Sequence, residues 1–212
     1  MYKKLKNFVQ LPFFKKLLAL KNYFLLIKTQ IFYRSLCKSM GRKSSIRNPL
    51  YITFGYLSVG NNVTIWDNGR IEGVSAYAQN SYQPHIVIGN GVTIQQRCHI
   101  TAASDLVIGN DTMIAFDVSI QDTDHQYTNV DIPIVKQPLI VQKTEIGKNC
   151  FIGSGVKIQA GTILGQHCVV GANSVIRGVF PDYSVIVGVP GKVIKQYNVE
   201  TKKWEKTDKN EI

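Results

Sequence analysis

Aliphatic side chains fall at Ile140, Ile146, Ile152, Ile158, Leu164, Val170 and Ile176, a strict period of six, and Ile134 extends the series backwards. Helices repeat near 3.6 residues and flat strands at 2. A period of six therefore predicts a coil of short strands, each hexad being one strand plus one corner. The beat recurs at Val59, Ile65 and Ile71, and again at Ile88, Ile94 and Ile100. After a slip of two residues it resumes at Ile108, Ile114 and Ile120. Two residues before these aliphatics stand smaller side chains: Val63, Val92, Cys98, Thr112, Val118, Thr144, Cys150, Val156, Thr162, Cys168 and Ser174. Positions two apart on a strand share a face, so both sets point inwards, the smaller where space is tight. Glycines follow many of the aliphatics, such as Gly60, Gly89, Gly109 and Gly147, the first three beside Asn61, Asn90 and Asn110, and suit corners with unusual backbone angles.

Other periods flank and interrupt the hexads. From Phe13 to about Met40 the pattern is helical, with Pro12 near its start and Gly41 as its stop. Polar residues recur seven apart at Lys15, Asn22 and Thr29 and at Lys21, Lys28 and Ser35, between Phe14, Leu17, Leu18, Phe24, Leu25, Ile27, Ile31 and Phe32. This is a basic amphipathic arm. Lys21 and Lys28 interrupt every window long enough to span a bilayer, and the broken apolar core with no small-residue cleavage site makes a poor signal peptide. Two compatible roles stay open: capping the coil's end against a neighbouring subunit, and peripheral contact with membrane lipid through residues 1–40. The hexads lapse from Glu72 to His85, which predicts a loop or distorted coil, either solvated decoration or a cleft wall. They stop again at 121–139, where an insertion in a repeat is a natural seat for function. The expected organisation is an arm at 1–45, a coiled body at 46–190 interrupted by a loop at 121–139, and a C-terminal extension at 191–212. The tail past Gln196 is expected to be a short helix or a frayed end.

The repeat resembles the hexapeptide-repeat transferases, the left-handed parallel β-helix acyltransferases, over roughly residues 50–197. The resemblance implies a mainly β fold, a left-handed coil and three hexads per triangular turn. Residues 18 apart then stack at about one strand spacing of 4.8 Å.

Charge first suggests a nucleic-acid binder: 25 Lys and Arg against 14 Asp and Glu, a net +11. Mapping it removes that reading. Residues 1–47 hold 12 of the basic residues and no acidic one, leaving 13 against 14 in the remainder. The body is neutral and shows no stacking platform for bases. Of four cysteines, Cys98, Cys150 and Cys168 occupy tight inward positions and Cys37 lies in the arm. With no CxxC or Cys/His cluster, metal binding is not expected; buried free thiols favour a reducing, cytoplasmic compartment.

The interruption resembles the loop of the family's sugar O-acetyltransferases, whose pattern is Asp-His-any-His-any-Tyr, then Pro-Ile and Gln. Here it reads Asp122-Thr123-Asp124-His125-Gln126-Tyr127, then Pro133-Ile134 and Gln137, with Thr123 where many relatives carry a first His. The resemblance implies His125 as general base. A sugar hydroxyl attacks a thioester poorly until its proton is taken, and a neutral imidazole can take it near pH 7. Asp122 or Asp124 could orient the ring, Asp122 being preferred for its motif position. His99 could line the cleft; His85 and His167 read as surface residues.

The same resemblance implies acetyl-CoA as co-substrate, with Ser154 and Ala172 along the pantetheine, Arg177 beside the cofactor, and Lys192 and Lys195 reaching its phosphates. It implies a homotrimer with active sites between subunits. The expected function is acetyl-CoA-dependent O-acetylation of a sugar in surface polysaccharide, capsule or lipopolysaccharide biosynthesis. The acceptor would be a saccharide or lipid-linked saccharide, and the setting cytoplasmic or peripheral at the inner membrane face. The alternatives are an N-acetyltransferase of an amino-sugar nucleotide, an antibiotic acetyltransferase, or a scaffold, which Thr123 would best support. Related β-helix carbonic anhydrases need three His ligands, and no fitting cluster is present.

Overall fold

Three parallel sheets meet at three corners, and the chain visits them in rotation. The structure, a computed structural model, describes residues 12–207. The first sheet, face 1, starts with Ser39–Met40 and Leu57–Val59 and ends with Val179–Phe180. Face 2 starts with Ser45–Ile46 and Thr64–Ile65. Face 3 starts with Tyr51–Ile52 and Arg70–Gly73 and ends with Val175–Ile176. This is the left-handed parallel β-helix. In the lower coils Ile146 pairs with Leu164, Ile152 with Val170 and Ile158 with Ile176, each pair 18 apart. Higher up, Val59 pairs with Ile88 and Ile108 with Ile146, because the chain leaves the coil and returns.

The hexad aliphatics from Val59 to Ile120 and from Ile146 to Ile176 are all buried, as are the smaller residues two before them. Burial of that continuous apolar column is what drives the coil together. Ile134 and Ile140 are the exceptions. Ile134 is exposed on a 3-10 turn, Ile134–Lys136, and Ile140 sits at the surface on Leu139–Val141, a strand that pairs antiparallel with Thr123–His125 outside the coil. Their spacing from Ile146 is coincidental, and the coil resumes only at Thr144–Ile146.

The corner glycines have a reason other than the one expected. A Cβ on Gly147 would lie 2.5 Å from the Gly165 carbonyl carbon, and one on Gly89 would lie 2.7 Å from the Asn110 nitrogen. These glycines permit backbone contact between coils. The left-handed angles fall two residues later, at Asn62, Gly91, Asp111 and Asn149. Beside the glycines runs an asparagine ladder. The amide nitrogens of Arg42, Asn61 and Asn90 donate to the side-chain oxygens of Asn61, Asn90 and Asn110, each at 2.8 Å.

The arm helix, α1, spans Phe13–Lys28 and continues through a π turn, Thr29–Tyr33, to Leu36. It stops short of Met40 because Ser39–Met40 is already the first strand of the coil, paired with Ser58–Val59. The coil thus begins inside the segment assigned to the arm. Buried Thr29 donates to the Ile46 carbonyl at 3.0 Å and accepts from its N–H at 2.9 Å. Gln30 donates to the Ser44 carbonyl at 2.8 Å, Leu25 is buried, and Tyr33 stacks on Phe54. These contacts close the open end, the capping role expected of this segment; the basic residues 1–10 lie outside the described residues. At the other end the tail is neither helix nor frayed. Gly191–Asn198 folds back antiparallel on Ser184–Gly188, and Lys203–Lys206 pairs with it in turn.

Candidate active site

Two excursions leave the same corner, where face 3 turns into face 1. After Gly73 the chain makes a hairpin, Ala76–Tyr77 against Asn80–Ser81. After Gln121 it makes the longer loop, whose base pairs Thr123–His125 with Leu139–Val141. One coil between them turns tightly at Ala103–Ser104. The excursions hold each other: the Leu139 N–H donates to the Tyr82 hydroxyl at 2.8 Å, and Tyr77 packs edge-on against His125 with centroids 5.2 Å apart. The hairpin turns through Ala78 and Gln79, at φ 44° and 64°. Such a turn normally calls for Gly or Asn. Left-handed angles on Ala and Gln cost of order 1 kcal/mol or more each, a strain held directly beside Tyr77.

His125 is exposed at the end of its strand, with the ring between loop and hairpin. Asp122 does not reach it. Asp122 is fully buried, and its carboxylate accepts from the N–H groups of Ala103 and Ser104 and from the Ser104 hydroxyl, each at 2.8 Å. The assignment of Asp122 to the ring is therefore corrected: it fastens the loop's root to the tight corner of the coil before it. Asp124, on the opposite side of the strand from its neighbours, pairs with Arg177 at 2.6 Å, and Arg177 also donates to Gln142. Gln137, the motif glutamine, is buried and donates to the carbonyls of Asn129 and Ile132 at 2.7 Å, so it organises the loop from within.

The residues expected along the cofactor lie elsewhere. Ser154 and Ala172 sit at the corner between faces 2 and 3 on stacked coils, where the Asn173 N–H donates to the Ser154 carbonyl at 2.8 Å. Lys192 and Lys195 lie on the returning strand and line an open groove of about 660 Å³ beside Val187–Pro190. Arg177 is on the loop's own corner, bound to Asp124 on the side of the strand away from His125, and not at the Ser154 corner. One chain does not bring the two sets together.

The other histidines offer less. His99 points outward from face 3, 3.1 Å from the Thr101 hydroxyl, and burial followed by the nearby Arg70 charge holds its pKa below the usual value. His85 stands between Ser58 at 2.9 Å and Asp105 at 3.4 Å. This looks like a nucleophile row, yet it spans three hydrogen-bonded strands of a flat sheet. The neighbouring N–H groups belong to the sheet ladder, so no oxyanion site accompanies it. Among the described residues no group of three or more His, Cys, Asp or Glu is placed to hold a metal.

Neither the Tyr77 contact with His125 nor the role of Gln142 is visible in the sequence. The only signal was the Tyr, Asn and Pro content of the lapse between 72 and 85.

Similar proteins fit this picture. The pattern described as "Bacterial transferase hexapeptide (six repeats)" matches residues 143–178. The putative lipopolysaccharide biosynthesis O-acetyl transferase WbbJ of Escherichia coli K12 is 36% identical over 186 residues, covering 84% of this chain and 88% of that protein. A solved maltose O-acetyltransferase from Clostridium difficile 630 superposes with a TM-score of 0.59 at 26% identity, covering 86% of this chain and 83% of that one. The N-acyltransferase AntD from Bacillus cereus, in complex with dTDP and 3-hydroxybutyryl-CoA, shares the fold with a TM-score of 0.55 at 21% identity, covering 82% of this chain and 90% of that one.

Proposed function

The chain belongs to the hexapeptide-repeat acetyltransferases, and from that premise we propose that it transfers acetyl from acetyl-CoA to a sugar hydroxyl, with His125 as general base. The observation that carries the proposal is the exposed His125 ring set between two excursions from one corner. The two most similar proteins described above are named O-acetyltransferases, one of lipopolysaccharide biosynthesis. The acceptor is accordingly a saccharide or lipid-linked saccharide in surface polysaccharide, capsule or lipopolysaccharide assembly.

In the proposed reaction the acceptor oxygen approaches the thioester carbonyl while the imidazole takes its proton. The tetrahedral intermediate collapses with cleavage of the C–S bond, and the imidazolium returns the proton to the departing coenzyme A thiolate. Backbone N–H groups stabilise the oxyanion. No covalent enzyme intermediate is required. The T-shaped contact with Tyr77 holds the ring, while Asp122 acts at a distance by rooting the loop. Asp124, Arg177 and Gln142 brace the loop's second leg, so Arg177 serves here as a loop anchor. Ser154 and Ala172 lie along the pantetheine, and Lys192 and Lys195 meet the phosphates.

Because these cofactor residues occupy another corner, the proposed active unit is a homotrimer in which one subunit's loop faces its neighbour's Ser154 corner. The body at 46–190 carries the chemistry, joined by the coil strands before it and flanked by the arm and the extension at 191–212. The proposed setting is cytoplasmic, peripheral at the inner membrane face.

The test is labelled acetyl-CoA with a panel of sugars, sugar nucleotides and lipid-linked oligosaccharides. His125→Ala should lower O-acetyl transfer by about 10²–10⁴-fold and leave the fold intact. An amine already deprotonated at working pH needs less help from a base, so a variant that merely slows would assign the enzyme to amino sugars. Full O-transfer by His125→Ala would overturn the proposal.

A further inference from the structure

The arm helix α1 caps the coil through Leu25 and Thr29 near its C-terminal end and leaves its other apolar side chains exposed, Phe14, Leu18 and Phe32 included. Leu25 is the buried residue of Phe13–Lys28, and Thr29 follows it on the same side. On another face Phe13, Leu17, Leu20, Phe24, Ile27 and Ile31 succeed one another at intervals of four and three residues, which aligns them along the helix. They are 76, 49, 54, 65, 37 and 62% exposed. The helix wheel puts Lys16 along one edge of this stripe and Lys21 and Lys28 along the other. No helix among the described residues is long and apolar enough to cross a membrane.

We propose that this stripe lies in the interface of an anionic phospholipid bilayer, with the helix parallel to the surface. The phenyl and aliphatic groups enter the acyl boundary, and the stems of Lys16 and Lys21 extend outward so that their ammonium groups meet lipid phosphates, while the Lys28 ammonium stays with the Arg47 carbonyl at 3.4 Å and over the Tyr33 ring. This sharpens the peripheral contact proposed above but does not rest on acetyl transfer. The spacing of the stripe also suits a helix from a second copy. Charge decides against that occupant. Self-pairing would set Lys16, Lys21 and Lys28 against their own kind, and residues 1–47 contain no carboxylate to offset them. Anionic headgroups supply the missing negative charge.

The geometry also says where the chemistry stands. The arm closes the first coil, and the loop carrying His125 leaves after the fourth, three strand spacings on. At about 4.8 Å per coil the base stands about 15 Å from the first coil, and the arm helix, about 10 Å across, adds to its height above the bilayer. A saccharide of several units on a lipid carrier spans that distance.

Cosedimentation of the full chain with vesicles tests the proposal, using phosphatidylcholine with and without phosphatidylglycerol. Wild type should bind the anionic vesicles, and added salt should weaken binding. Changing Leu20→Glu and Phe24→Glu together, both exposed, should weaken binding at least about tenfold with an unchanged melting temperature. Lys16→Gln with Lys21→Gln should lower binding to the anionic vesicles alone. Undiminished binding by the Glu pair, or no binding by wild type, overturns the proposal. A change of oligomer mass in the Glu pair, without vesicle binding by wild type, assigns the stripe to a second copy. Transfer to a soluble sugar is read separately, so the two proposals fail independently.

Discussion

Asp122→Ala separates a structural carboxylate from a catalytic one. The side chain is fully buried and accepts three hydrogen bonds, two of them from backbone N–H groups of Ala103 and Ser104. Removing it strands those donors, since the tight turn offers no other acceptor in the same place. A buried donor left without a partner costs about 1–3 kcal/mol. Ala103 is 2% exposed, whereas Ser104 is half-buried and its hydroxyl can rotate. The expected loss is therefore about 3–4 kcal/mol, near the middle of the range for two donors. In a domain of this size that lowers the melting temperature by roughly 6–15 °C. Asp122→Asn keeps one acceptor but turns an amide towards an N–H, so it should fall between. Thermal unfolding by circular dichroism measures the loss, and acetyl transfer well below the melting point measures the chemistry. If Asp122→Ala melts within about 1 °C of wild type yet loses transfer as fully as His125→Ala, the carboxylate serves the ring and the argument for a corner clamp is wrong.

Four further outcomes are expected. Tyr77→Ala should lower kcat by about tenfold with little change in melting temperature, and Tyr77→Phe should restore it, because an edge contact needs the ring and not the hydroxyl; failure of Phe to rescue would implicate the hydroxyl instead. Replacing Ala78-Gln79 by Asn-Gly should relieve the left-handed strain and stabilise the fold by roughly 1 kcal/mol, read by denaturant unfolding. Arg177→Ala should raise the acceptor KM more than it lowers kcat, and Lys should not rescue it, because a single ammonium does not reproduce the guanidinium fork on Asp124 and Gln142. Burial lifts the Cys98 thiol to about 11. The folded chain therefore keeps a proton that the unfolded chain loses near pH 9, so stability is full below pH 9 and falls as pH rises towards 11. The drop is ~2 kcal/mol, checked by unfolding at pH 8 and pH 10.5 in wild type and Cys98→Ala.

What the linear chain determines by itself is the coil. A six-residue beat calls for short strands joined by corners, and the paired inward positions and the interruptions before His85 and after Ile120 are local matters of spacing, while the triangular turn that stacks residues 18 apart comes with the family resemblance. The corner that carries His125 is legible for the same reason, since a motif is a run of neighbours. Tertiary structure decides which of those neighbours act on one another. Asp122 and His125 are three residues apart and do not touch, whereas Arg177 meets Asp124 from 53 positions away and Tyr77 meets His125 across 48. Ile134 and Ile140 keep the beat and still fall outside the core. The reason is that spacing reports the face a residue shows its own strand. The antiparallel return of an excursion and the corner it shares with another are set by packing between distant segments, which no local period encodes.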